Sequence, residues 1–387
     1  MTGRTEWPEP PMRKVQRRTF LAALILLLTP LMARGQDAIR GVNFVHPLQF
    51  SDAEQEAALA RIAAAGIRVI RFGMYQQDLD KNLGFIVRAH AHNIAVDLIL
   101  HGLYPPDAAG RPYQAKEFPG MSAGPPISTL SPELSRAYFQ ELLDKLDADG
   151  IVLAALELEN EINMAGSNPD FSLPGEGRVL GLNDLGHDKE GQRVAKGYLQ
   201  YLKVLAALKQ VRDHSRLNAQ TPLLPTSLVD IVEEGPWPTP KRYDGVSVGA
   251  TISFMRANGL DRLVDAYNLH TYPWADQPGD KAAAIHRAQR LAALVQPVCA
   301  AAGSAGGKPC WITEWGFSYG NKACAADEAA RSALVEEMMG DFAQRVRERR
   351  LSGLIYYSWT GDPLFDVDRC GSLTRSGQAA IAPIAGR

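Results

Sequence analysis

Two glutamates stand 153 residues apart, each at the end of an apolar run: Glu161 closes LAALELENE and Glu314 lies in KPCWITEW. Short apolar runs bounded by turn residues read as buried strands. A carboxyl group at the tip of one buried strand, repeated on a second strand, can bring a proton donor and a nucleophile to the same bond. Cleavage of a glycosidic bond needs that pair. Glu157, Glu159 and Glu161 share alternation parity, so a regular strand would turn all three to one side. Glu161 is taken as the reactive one because it stands farthest along the strand. Glu157 and Glu159 are then expected behind it, paired with Arg, Lys or His, since an unpaired buried carboxylate is costly.

The elements that must position this pair alternate along the chain. Strands are expected at 41–44, 67–73, 95–102, around Glu161, 222–228, 265–273, 309–315 and 354–360. Amphipathic helices are expected between them at 52–65, 79–93, 132–149, 188–214, less distinctly within 250–263, and at 281–302 and 325–350, with a reduced eighth helix in the tail. The first is capped by Ser51, and the fourth shows an apolar face of Tyr198, Tyr201, Leu202, Leu205 and Leu208. Eight strand-helix units in about 350 residues predict an α/β fold, a TIM (β/α)8 barrel forming a single domain. A doubly wound open sheet is the rival, but no Gly-rich phosphate turn follows an early strand.

Barrel enzymes gather reactive groups at the C-terminal ends of their strands. There the sequence places Arg71 on strand two, His101 on three, Asn160 and Glu161 on four, His270 and Tyr272 on six, Glu314 on seven and Trp359 on eight. The motifs in order are VIRFG, LILHG, ENE, NLHTYP, ITEWG and YYSWT. This ordered set resembles the clan A glycoside hydrolases, most of all family five, the cellulase and mannanase family, over residues 41–380. Glu159, where a small or apolar residue is usual, and Ile162, where Pro often follows, depart from that pattern and leave other clan A families, such as family thirty-nine, open.

The resemblance implies a retaining β-glycosidase with Glu314 as nucleophile and Glu161 as acid/base. Arg71 and Tyr272 would keep Glu314 ionised, and Asn160 would bind the sugar 2-hydroxyl. His101 and His270 would bind other hydroxyls, and Trp359 would form a flat floor that Trp274, Trp315, Tyr104 and Trp237 could extend. No metal or organic cofactor is implied. A catalytically silent glycan-binding barrel is the alternative, and a metal-dependent hydrolase a third possibility that the scattered histidines do not favour.

Composition sets the context. Residues 12–35, MRKVQRRTFLAALILLLTPLMARG, read as an export signal, with Arg17-Arg18-Thr19-Phe20-Leu21 resembling a twin-arginine signal and Met12 as a candidate start. The apolar run is short for a membrane span. The mature chain would be residues 36–387, secreted or periplasmic, without stable membrane association, and acting as a monomer. The chain carries 41 basic and 43 acidic residues. Removing residues 1–35 takes away six basic and two acidic ones, leaving 35 against 41 and a net charge near −6. No basic stripe suited to nucleic acid remains, and a neutral carbohydrate partner fits better. Cys299, Cys310, Cys324 and Cys370 lack zinc-site spacing. In an exported barrel, topology pairs Cys299 with Cys310 at the bottom and Cys324 with Cys370 at the top, with free thiols as the alternative. The loops 102–130, 162–188 and 229–249 would decide between an open groove and a closed pocket.

Overall fold

The computed structural model describes residues 38–112, 117, 121–231, 243–273, 281–319 and 328–384. The expected signal, Trp237, Trp274, Cys324 and the start of the helix expected at Ala325 lie outside them.

The apolar runs form parallel strands: β1 (Ile39–Phe44), β2 (Val69–Met74), β3 (Ala95–Leu100), β4 (Ala155–Leu158), β5 (Leu223–Leu224), β6 (Leu228–Val229), β7 (Tyr267–Thr271), β8 (Cys310–Trp315) and β9 (Leu351–Thr360). They make one curled nine-stranded sheet in the order β5-β4-β3-β2-β1-β9-β8-β7-β6. Both ends of that order lie in one seven-residue stretch, LLPTSLV, where Pro225 lacks the N–H that an unbroken ladder requires. The first half of the stretch pairs with β4 and the second with β7. The strand expected at 222–228 is therefore present as two short pieces with different neighbours.

Helices separate the strands: α1 (Asp52–Ala64), α2 (Leu79–Ala91), α3 (Pro132–Ala148), α4 (Lys189–His214), α5 (Val248–Ala257), α6 (Lys281–Val298), α7 (Glu328–Arg347) and α8 (Arg375–Ala380). Their starts follow local chemistry. Ser51 and Glu54 form a reciprocal capping box on α1, Ser131 precedes a first-turn proline on α3, and the Asp188 carboxylate accepts from the Glu190 and Gly191 N–H groups of α4. The whole expected apolar face of α4 is buried. From it Tyr201 accepts a hydrogen bond from the Thr226 N–H at 2.6 Å and donates to the Leu158 carbonyl at 3.3 Å, tying β4 to the split strand.

Covered on both faces, the strands are continuous apolar runs, as buried parallel strands are. The polar residues inside them are therefore the informative ones. Register sets Asn43, Arg71 and Asp97 side by side on β1, β2 and β3, and Glu314 beside His270 on β8 and β7. At the opposite end Cys299 and Cys310 form the expected disulfide. Cys370 is likewise disulfide-bonded; its expected partner lies outside the described residues. No helix among the described residues is long and apolar enough to cross a membrane.

Candidate active site

Arg71 organises the site. Its side chain is 1% exposed, and its Nε and Nη2 donate to the two oxygens of Glu157, each at 2.8 Å, in a two-pronged ion pair. Nη1 donates to the Asn43 Oδ1 at 3.0 Å and to the Glu314 Oε1 at 2.7 Å, and Nη2 reaches the Asn160 Oδ1 at 3.2 Å. Burial works against the guanidinium charge, but Glu157 foremost and then Glu314 outweigh it and raise the Arg71 pKa above its ordinary value. One permanently charged group thus touches residues from β1, β8 and the β4 end.

Glu314 has both oxygens engaged. Arg71 holds Oε1, and the Tyr272 hydroxyl donates a short hydrogen bond to Oε2. Burial, the largest influence, pushes this carboxyl upward. His270, Arg71 and the two hydrogen bonds together prevail, so Glu314 titrates below the ordinary glutamate value. Tyr272 moves the other way: burial first, then Glu314 and Glu161, raise its hydroxyl far above the usual tyrosine range and keep it a donor.

Glu161 approaches from the other side. Its carboxylate, with the side chain 21% exposed, accepts from His270 Nδ1 at 2.8 Å, and the same nitrogen lies 3.5 Å from Glu314. An oxygen of Glu161, an oxygen of Glu314 and His270 Nδ1 all lie within 4.8 Å of one another. Three such ligand atoms could in principle hold a cation. Here Glu314 is already shared by a guanidinium and a phenol, and a second positive centre would meet Arg71; the donor set suits an ionised carboxylate beside a second carboxyl group.

The three glutamates of ENE and its preceding strand do not share a face, contrary to strand alternation. β4 ends at Leu158, and Glu159 and Glu161 adopt left-handed backbone conformations, with φ of 61° and 57°. Glu159 still pairs its N–H with Leu100 on β3, whereas Glu161 pairs its N–H with Ser227. Each left-handed step re-aims the side chain. Glu157 points to Arg71, Glu159 accepts from His101 Nδ1 at 3.0 Å and the Gly102 N–H at 2.7 Å, and Glu161 points to His270. Left-handed residues other than glycine cost of order 1–3 kcal/mol and cluster at functional sites. Glu157 and Glu159 do have the basic or imidazole partners expected for them.

A cleft of about 580 Å³ is lined by Arg71, Glu159, Asn160 and Glu314 together with the aromatic residues Tyr75, Tyr104 and Tyr357; Glu161, His270 and Tyr272 are not among its lining residues. The Asn160 Oδ1 accepts from Arg71 and Ser227, so its amide N–H₂ is what it can offer to a ligand. His101 lines the cleft and stacks on Tyr75, the rings 4.2 Å apart and 9° from parallel.

Several expected positions differ. Trp359 is only 1% exposed and cannot form a floor; the strand-eight aromatic at the cleft is Tyr357. Trp315 packs edge-on against Phe342 and Tyr356 in the core. His270 is wholly buried, with Nδ1 on Glu161 and Nε2 3.2 Å from Thr313 Oγ1, so it bridges the carboxylates and does not reach a sugar hydroxyl. Asn43, Tyr75 and Tyr357 were not singled out from sequence. Asn43 could have been, since it stands at the end of the first strand in GVNF and belongs to the same register of strand-end polar groups.

No family model matches the chain, and no curated protein matches it. Solved structures do share its fold, and they are clan A glycoside hydrolases. A hyperthermophilic endocellulase from the archaeon Pyrococcus horikoshii has a TM-score of 0.54 at 13% identity, covering 89% of this chain and 91% of that one. A GH5-4 broad specificity endoglucanase from an uncultured bacterium has 0.53 at 14%, covering 90% and 94%. A family 39 glycoside hydrolase from Bacteroides cellulosilyticus has 0.49 at 15%, covering 91% of this chain but 64% of that one, so this chain spans somewhat less than two thirds of its length. At such identities the likeness is one of fold.

Proposed function

We propose that this chain is an exported O-glycoside hydrolase that cleaves β-linked polysaccharide or oligosaccharide with retention, Glu314 acting as nucleophile and Glu161 as acid/base. The observation that carries the reading is the approach of Glu161 and Glu314 oxygens to within 4.8 Å across His270, with Glu314 held by Arg71 and Tyr272. Retaining enzymes set their carboxyl groups about 5–5.5 Å apart, and inverting ones about 6.5–9.5 Å, to admit a water. The short gap favours direct attack. Eight strand positions, with the split fifth one pairing on both sides, support a closed (β/α)8 barrel with this site at its C-terminal mouth.

In the first step Glu314 attacks the anomeric carbon while Glu161 delivers a proton to the leaving oxygen. In the second, Glu161 takes a proton from water, which displaces the sugar from Glu314. Tyr272 and Arg71 keep the nucleophile ionised before attack and accept it back as a leaving carboxylate. The amide N–H₂ of Asn160, at the cleft, would donate to a hydroxyl next to the anomeric centre, and the tyrosines lining the cleft would offer faces for sugar rings. The Cys299–Cys310 disulfide and the mature acidic charge suit an extracellular or periplasmic setting.

The test is proton NMR of the anomeric signals during early hydrolysis, after a screen of β-linked glucan, mannan, xylan and bacterial exopolysaccharides. Retention of configuration is expected, and an inverted first product refutes the assignment. Turnover is expected to persist in excess chelator; its loss there would move the chemistry to a metal.

A further inference from the structure

Behind Arg71 lies a carboxyl group that the reaction above does not use. Asp97 sits in the middle of β3, in register with Arg71 on β2 and with Ala155 on β4, and is 0% exposed. No described residue donates a hydrogen bond to either of its oxygens. An ionised carboxylate in that position would be buried without a donor, which is among the costliest arrangements a protein can hold. The charged groups that face it are Arg71, its register partner on β2, and Glu157, its diagonal neighbour on β4, two residues beyond the Ala155 that pairs with Asp97. Two carboxylates are both acceptors, so this contact is a hydrogen bond only when one of them carries a proton. Glu157 takes the two-pronged bond from Arg71, with 2.8 Å at each oxygen, and that geometry fixes it as the anion. The proton falls to Asp97.

We propose that Asp97 is a buried carboxylic acid, protonated at neutral pH, that donates its O–H to Glu157 and so fixes where Arg71 presents its guanidinium to Glu314. It is a positioning residue, joined to Glu314 through three successive contacts: Asp97 to Glu157, Glu157 to Arg71 and Arg71 to Glu314. The charge balance gives the reason for it. Glu157 and Glu314 already share the one guanidinium, and a third anion beside it would draw Arg71 inward, away from Glu314. A neutral O–H donor instead anchors one oxygen of Glu157 through a remaining lone pair, without competing for that charge. Burial first, then the negative Glu157, push the Asp97 carboxyl well above its ordinary range, in keeping with this arrangement.

The role in catalysis rests on the reading of Glu314 as nucleophile, whereas the protonation state does not, and the experiment separates them. Asp97→Asn keeps an N–H donor toward Glu157 without a charge, and Asp97→Leu keeps the bulk without a donor. The first readout is the infrared difference spectrum of the full chain at neutral pH, wild type minus Asp97→Asn, which is expected to show the band of one protonated carboxyl lost in the variant. Its absence overturns the proposal. The second is stability against pH. A native carboxyl with a raised pKa holds a proton that the unfolded chain releases, so wild-type stability falls relative to Asp97→Asn as pH rises above the ordinary aspartate value. Parallel profiles overturn the proposal as well. For catalysis, Asp97→Leu is expected to lower kcat/KM roughly tenfold, the scale of one lost hydrogen bond. Its acid limb is expected to shift upward, with Asp97→Asn restoring most of both. Equal effects of the two variants refute the positioning role; if Asp97→Leu does not fold, the acid limb of Asp97→Asn, expected near the wild-type position, decides it. A Glu314→Gln variant that still turns over would remove the reading of Glu314 as nucleophile while leaving the infrared and stability results in force.

Discussion

Removing one oxygen atom from Tyr272 tests how the site keeps Glu314, the proposed nucleophile, charged. The hydroxyl donates to the Glu314 Oε2, and its ring packs edge-on against Tyr357 and Phe365 at 5.9 and 5.6 Å between centroids, so Tyr272→Phe keeps the packing and deletes only the donor. A hydrogen bond to a charged group contributes about 1.5–3 kcal/mol, and one pKa unit corresponds to about 1.36 kcal/mol. Glu314 is 13% exposed, so little of the effect is screened by water. Its titration is therefore expected to rise, with Arg71 and His270 still opposing protonation. The sign follows from the cause: the lost bond favoured the charged form. The assay is kcat/KM against pH, whose acid limb reports the free enzyme's essential base. That limb should move upward, and activity near its foot should fall about ten- to a hundredfold, the factor that corresponds to the lost hydrogen bond. A thermal melt shows whether the fold is intact. The melt also carries a linked signature. A depressed native pKa contributes stability above the unfolded value that is lost as pH falls through the folded one, so the variant should lose that contribution at a higher pH. An acid limb that stays in place in a folded variant would refute the assignment of Glu314 as the ionised nucleophile.

Three further outcomes are expected. Glu314→Gln should abolish nearly all turnover on a substrate identified by the glycan screen while leaving the far-ultraviolet circular dichroism unchanged; substantial activity in pure protein would place the nucleophile elsewhere. Replacing Cys299 and Cys310 together by Ala should lower unfolding free energy in denaturant titration by up to about 3 kcal/mol, the chain-entropy value for a loop of this size, where the cysteines are separated by 11 positions. Gly353→Ala should destabilise the fold by about 1–3 kcal/mol, read as a lower Tm, because a Cβ there would overlap the rigid, buried Trp311 indole on the paired strand.

The order of elements was legible in the sequence because it depends on local pattern. Apolar runs such as VIRFG and AVDLIL, and the periodic face of Tyr198, Tyr201, Leu202, Leu205 and Leu208, can be satisfied only as buried strands and a half-buried helix. The same holds for the strand-end roster. Arg71, Asn160, Glu161, His270, Tyr272 and Glu314 converge because parallel strands all present their C-terminal ends at one rim, whatever the details of packing. Tertiary structure alone decided the direction of each side chain. Alternation fails at Glu159 and Glu161 because two left-handed residues follow a strand that ends at Leu158, and no local propensity announces that bend. The exchange of Trp359 for Tyr357 at the cleft was equally hidden: the two share alternation parity, so the sequence pattern cannot choose between them, and the register of β9 against β8 and β1, which shifts along both ladders, belongs to the packed sheet. His270 became a bridge between carboxylates, and Asp97 a buried neighbour of Glu157, through contacts between residues 44 to 109 positions apart. A sequence states which groups a strand end carries; only the packed sheet, by fixing distances among charges removed from water, states which of them share a proton.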